Sequence, residues 1–244
     1  MYRFLLSPRW LAFHLLVIVG IVTMVNLGFW QLRRLDQRQE FNAVVEARYD
    51  APPEPIDSVL TPTTDPDDVE WLPVTVSGTY RPDETVHIVN RSQSGRAGDN
   101  IVVPLELEDG RVLLVNRGFV TLGIEVPDPP TGSVEVTGRL RPSEERRLGQ
   151  LSDPSDGQLT EAQRVDIPRL EQQIDGDVIE MYVDAFESDP AESAVLEPVA
   201  KPTLGEGPHL SYAVQWFIFS VCVAVGWVLA VQRSIAVRRR ADHG

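Results

Sequence analysis

Two stretches of this chain, residues 10–30 and 212–231, contain no Asp, Glu, Lys or Arg. Each is about 20 residues of mostly Leu, Val, Ile, Phe and Ala, and at about 1.5 Å of rise per residue each spans a hydrocarbon core about 30 Å thick. Both read as transmembrane helices, because a soluble helix seldom runs so far without a charge to meet water. Everything between them must then fold as a polar domain on one side of a bilayer.

Charge is distributed as that arrangement requires. The 244 residues hold 22 Lys or Arg and 36 Asp or Glu, for a net charge of −14. Six Arg and one acid, Asp242, lie outside residues 33–211, so that segment carries −19 and the two ends together +5. A segment this acidic repels phosphate, which excludes a nucleic-acid partner. Four Arg follow the second span, while only Lys201 and His209 shortly precede it, so the positive-inside bias places the C-terminus in the cytoplasm. Two spans return the N-terminus to the same side, although Arg3 and Arg9 before the first span are matched by Arg33, Arg34 and Arg38 after it. The bulky exit Gly28-Phe29-Trp30-Gln31 has no small-x-small cleavage site, so the first span reads as an uncleaved anchor. The expected order is a cytoplasmic N-terminus (1–9), a first span (10–30) with a helical extension (31–50), an extracytoplasmic β-rich domain (51–211), a second span (212–231) and a basic cytoplasmic tail (232–244).

Leu32, Leu35, Arg38, Gln39, Asn42, Val45 and Arg48 continue a helical spacing beyond the first span, until Ala51-Pro52-Pro53 breaks it. Residues 51–70, with five Pro and six acids, read as loop. The period then changes to two. Residues 73–80, 85–90, 101–107, 112–116, 134–140 and 178–186 read as strands, and Glu108-Asp109-Gly110 is a hairpin turn between apolar runs. Residues 141–163 are polar and read as a mobile loop. Asp166-Ile167-Pro168 opens a short helix with an Asp cap and Pro in the first turn. The fold class is therefore α+β: two transmembrane helices flank a mainly antiparallel small barrel or sandwich with one short helix.

No catalytic motif is visible. The four His (His14, His87, His209, His243) form no His-Glu-x-x-His pair, and there is no nucleophile elbow, Walker loop or dinucleotide fingerprint. Gly95-Arg96-Ala97-Gly98 lacks the strand-to-helix context of a phosphate loop. Cys222 is the only cysteine, so no paired-thiolate metal or redox site can form within the chain. An enzyme is not expected.

The membrane boundary carries more information. Trp30 and Tyr212 sit at the outer interface on this topology, and His209, Tyr212 and Trp216 fall at i, i+3 and i+7 on one helical face. Aromatic side chains there form an interfacial belt in many membrane proteins, and a His there is commonly solvated or capping. The same residues could hold a haem, with the imidazole as axial ligand and aromatic walls around it. His14 lies about 20 to 25 Å away by helix rise, so only one His of this chain could serve. Asn26 and Gln215 lie at matching depth on opposite helices, where a mutual hydrogen bond would contribute about 0.6 to 2 kcal/mol. In the domain, Gly118 after Arg117 is a candidate for a positive φ, a bulge or a close backbone approach. Arg91 and Arg117, at strand ends, could bind a propionate or a partner's carboxylate, or pair with the chain's own surplus acids.

In order, Leu27-Gly28-Phe29-Trp30-Gln31, Pro73-Val74-Thr75-Val76-Ser77-Gly78-Thr79-Tyr80, Val115-Asn116-Arg117-Gly118-Phe119-Val120 and His209-Leu210-Ser211-Tyr212-Ala213-Val214-Gln215-Trp216 resemble the first surfeit-locus protein family. Those proteins are assembly factors for the haem-copper cytochrome c oxidase, and the likeness covers nearly the whole chain. Lys201 as the only lysine beside many arginines suggests a bacterial member with a GC-rich genome. The resemblance implies a chaperone-like role at the cell membrane in maturing oxidase subunit I. It also implies transient haem a binding by His209 beside Tyr212 and Trp216, with Trp30, Gln31, Arg117 and Gly118 as structural or partner-facing positions. Gly118 matches a position sensitive to substitution in the family. A cofactor-free scaffold or accessory subunit bound to the oxidase or its supercomplex is the other reading. The acidic domain avoids anionic lipid and favours basic partner surfaces.

Overall fold

A computed structural model of the chain describes residues 3–241, so Met1, Tyr2, Asp242, His243 and Gly244 lie outside the described residues. The chain forms two compact units: Met1–Ala43 with Thr203–Gly244, and Val44–Pro202.

The helices, in chain order, are α1 (Pro8–Arg48), the single turns α2 (Ile56–Val59), α3 (Pro66–Val69) and α4 (Ile167–Leu170), and α5 (His209–Ala241). The strands are β1 (Glu54–Pro55), β2 (Pro73–Tyr80), β3 (Val86–Gln93), β4 (Arg96–Leu107), β5 (Arg111–Thr121), β6 (Ser133–Pro142), β7 (Glu161–Ala162) and β8 (Asp177–Asp189). Two long apolar helices thus flank a sheet domain, as the sequence pattern requires.

In the first unit, α1 and α5 each contain a window of mean hydropathy 2.2 that is 6% buried. Apolar side chains left uncovered over that length belong in lipid, and they mark a membrane protein. The helices meet along a narrow seam of small residues. Gly28, Ala213 and Ser220 are buried there, and a Cβ on Gly28 would stand 2.6 Å from the Phe217 ring. A small residue at this point lets the backbones approach, which is how helices associate where no hydrophobic gradient drives them. Phe29 packs edge-on against Phe217 at 5.5 Å. Past the apolar section α1 continues through Arg33 and Arg34 without a break.

The second unit is a barrel. The sheet order is β1-β2-β6-β8-β5-β4-β3-β7, and β2 also pairs with β4, which closes β2-β6-β8-β5-β4 into a ring. β4 serves two neighbours along one edge: its first half pairs with β3, and Leu105 to Leu107 pair with Tyr80 to Gly78. Most pairings are antiparallel, but β5 runs parallel to β8, as the brief β1 and β7 do to β2 and β3. The side chains split into two cores. Val74, Val76, Leu105, Leu113, Val115, Val136 and Val183 fill one. Val86, Ile88, Val112, Leu114, Ile167, Leu170 and Tyr182 form the other. β5 feeds both by alternation, so Val112 to Val120 are all buried. That explains the apolar run Val112–Val115, since a strand covered on both faces loses the period of two.

Residues 51–70, expected as loop, contain β1, α2 and α3. α3 is capped by the Asp65 carboxylate, which accepts from the Asp67 amide, with Pro66 in its first turn. The helix read at Asp166 is α4, where Asp166 accepts from the Arg169 amide. Residues 143–160 are irregular, yet Glu144 accepts from the Val165 amide at 3.2 Å and Asp153 from the Gln163 amide at 2.8 Å.

Candidate functional site

Gln31, Leu35, Arg38 and Asn42 stand at i, i+4, i+7 and i+11 of α1, which places them on one face. That face receives the segment leading into α5. Arg38 donates to the carbonyls of Thr203 at 2.9 Å and Gly205 at 3.0 and 3.2 Å. Asn42 Nδ2 donates to the Leu204 carbonyl at 3.1 Å, and Gln39 Nε2 to Glu206 Oε1 at 2.9 Å. An irregular segment with few partners of its own is thereby satisfied residue by residue. Sequence reasoning found the periodicity of this helix and missed what its polar face holds.

The segment delivers His209, the first residue of α5, to Gln31. His209 Nδ1 lies 2.8 Å from Gln31 Oε1. The other edge of the ring faces Gly207, which has φ +69° and where a Cβ would stand 3.4 Å from both Cδ2 and Nε2. A side chain there would lie in van der Waals contact with that edge, and glycine leaves the contact unfilled. A half-buried imidazole with Nδ1 engaged and Nε2 beside a glycine has the donor chemistry of a haem ligand. Tyr212 and Trp30 are exposed at this end of the helices, while Trp216 is half-buried and meets Phe219 at 6.1 Å.

Asn26 and Gln215 are not brought together. Asn26 Nδ2 donates back into its own helix, to the Val22 carbonyl at 2.8 Å, and both side chains are exposed. Matching depth fixes only one of two coordinates. Asn26 lies five residues from Gln31 and Gln215 six from His209, which at about 100° per residue turns them about 140° and 120° from the seam. Polar contacts that do join the helices are the Gln31–His209 pair and, at the far end, Trp227 Nε1 donating to His14 Nδ1 at 2.9 Å.

In the barrel, Arg117 is not available to a ligand. Its side chain is 1% exposed and forms a bidentate pair with Glu192 at 2.7 and 2.8 Å. It also donates to the carbonyls of Pro127 at 3.0 Å and Asp128 at 3.2 Å. The alternative of pairing with the chain's own acids is the one realised. Arg91 likewise pairs with Glu144 at 2.6 Å, beside a cleft of about 930 Å³. Gly118 has φ +138°, and a Cβ there would stand 2.7 Å from the Glu197 carbonyl. Phe119 and Glu197 exchange backbone hydrogen bonds at 2.7 and 2.9 Å across this contact, so the glycine seats the returning chain on β5. Nearby, burial raises the Tyr80 hydroxyl and the Asp184 carboxyl above their ordinary values, although Arg141 and an Asn116 hydrogen bond of 2.7 Å oppose the shift at Asp184. Among the described residues no group of three or more His, Cys, Asp or Glu could hold a bare metal ion.

Comparison with known proteins agrees with these features. A model of the SURF1 family matches residues 18–221. A SURF1-like protein of Mycobacterium tuberculosis is 29% identical over 249 residues, covering 99% of this chain and 90% of that protein. SURF1-like proteins of Rickettsia felis and Monosiga brevicollis are 24% and 28% identical, covering 92% and 87% of the chain and 99% and 85% of their own length.

Proposed function

Because the chain belongs to the SURF1 family of cytochrome oxidase assembly factors, we propose that it holds haem a at His209 while oxidase subunit I matures. The observation that carries this reading is the His209 ring, with Nδ1 engaged by Gln31 and the Nε2 edge beside the side-chain-free Gly207. When bound, haem a supplies an iron that takes an axial nitrogen and an apolar ring and tail that partition to the bilayer edge. Tyr212 and Trp216, on the same helix, are the side chains that would flank it. On this reading both termini are cytoplasmic, the barrel lies outside the cell membrane, and its acidic surface engages basic surfaces of the oxidase. The work is binding and release, with no bond-making step assigned to the protein.

The test is an absorption spectrum of the detergent-purified full chain beside His209→Ala, both made in a host that synthesises haem a. A Soret and α-band in the wild type, lost in the folded variant, supports the reading. A folded wild type without haem overturns it in favour of a cofactor-free scaffold.

A further inference from the structure

We propose that Gln31 is a positioning residue for His209: its amide oxygen fixes the imidazole in the Nδ1–H tautomer and keeps it a releasable ligand. The inference rests on the haem reading above for its purpose, and on geometry alone for the tautomer.

The geometry is direct. Gln31 Oε1 carries no proton, so at 2.8 Å the imidazole Nδ1–H is the donor. A neutral imidazole has one N–H, and the lone pair must then sit on Nε2. That is the nitrogen beside Gly207. Ligating histidines generally donate their second ring N–H to a polar acceptor, which sets tautomer and ring orientation. The pairing does not depend on a flexible approach of two long side chains. Gln31 belongs to the interior of α1, and Arg38, Gln39 and Asn42 hold residues 203–206 on the same helix, so His209 reaches Gln31 by a docked path.

The identity of the acceptor matters as much as its position. A carboxylate in the same place would draw the imidazole proton toward itself, raise the basicity of Nε2 and strengthen its bond to iron. A neutral amide fixes the ring without that gain. A protein that must give its cofactor up is served by the weaker arrangement, and this chain has acids in abundance elsewhere.

The experiment uses the full chain in detergent micelles, labelled with 15N-histidine, with the His209 signal identified by its loss in His209→Ala. At a pH where the ring is neutral, the wild type should show a protonated Nδ1 and a bare Nε2, and Gln31→Leu should lose this preference. Gln31→Glu should keep it. With haem a present, Gln31→Leu should weaken binding about 10- to 100-fold. Gln31→Glu should bind more tightly, with a higher iron–histidine stretching frequency and a lower midpoint potential. A wild type with the proton on Nε2, or a Gln31→Leu variant with unchanged tautomer, overturns the proposal whether or not haem binds. A wild type with the expected tautomer and no haem overturns the haem reading, and with it the role toward iron. Where Gln31→Leu fails to fold, Gln31→Glu still tests the role toward iron, because haem binding no tighter than in the wild type overturns it.

Discussion

Replacing Gly118 with Ala tests whether the barrel and the chain returning over it are one cooperative structure. Two costs arise. The backbone at φ +138° lies where residues with a Cβ are rarely found, which costs about 1–3 kcal/mol. The new Cβ, 2.7 Å from the Glu197 carbonyl, must also push that segment off β5. Doing so breaks the two Phe119–Glu197 backbone hydrogen bonds, at about 0.5–1.5 kcal/mol each. Together the loss is about 2–6 kcal/mol, a large share of the roughly 5–15 kcal/mol that holds a domain together. Gly110→Ala is the control: its φ is +86°, but nothing lies within 4 Å of the added Cβ, so it carries only backbone strain of about 1–2 kcal/mol. Urea unfolding of the detergent-solubilised chain, followed by near-UV circular dichroism, should show a lower midpoint for Gly118→Ala than for Gly110→Ala. Midpoints equivalent to within about 0.5 kcal/mol would refute the argument that Gly118 is there to seat Glu197.

Arg117→Ala should destabilise the domain by about 3–5 kcal/mol in the same assay, because Glu192 is left as an unpaired charge beside a buried site; a loss below about 1 kcal/mol would mean the pair is solvated. The Asn26→Leu, Gln215→Leu double variant should change thermal stability in detergent little, since both side chains face outward; a marked loss would restore the direct contact that the structure lacks. Burial raises the Asp184 carboxyl, so between about pH 4, the ordinary value, and the raised one the folded state binds more protons than the unfolded. Stability from this group therefore falls as pH rises through that window. Asp184→Asn should flatten the slope, and an unchanged profile would assign it to other groups.

Local pattern was legible wherever one residue type had one job. Asp109-Gly110 announced the β4–β5 hairpin, Asp166 its helix, and Gly118 a backbone demand that the φ and the Glu197 contact explain. Direction was not legible, because alternation looks the same in parallel and antiparallel strands, and so the β5–β8 pairing stayed hidden. Rotation about a helix axis was the other gap. Asn26 and Gln215 were paired by height alone, whereas Gln31 and His209 share both height and azimuth. The pairing of Arg117 with Glu192 spans 75 residues, and among so many acids no spacing singles out the partner.

The strand order also dictates a timetable. β5 and β6 are neighbours in sequence, yet the slot between them is filled by β8, synthesised some 35 residues after β6 ends. A nascent chain that has emerged only as far as α4 therefore lacks the strand that fills both edges in the folded barrel, one of them β5 with its apolar run Val112–Val115. Until β8 arrives, this protein of an assembly family is itself an incomplete barrel at a membrane.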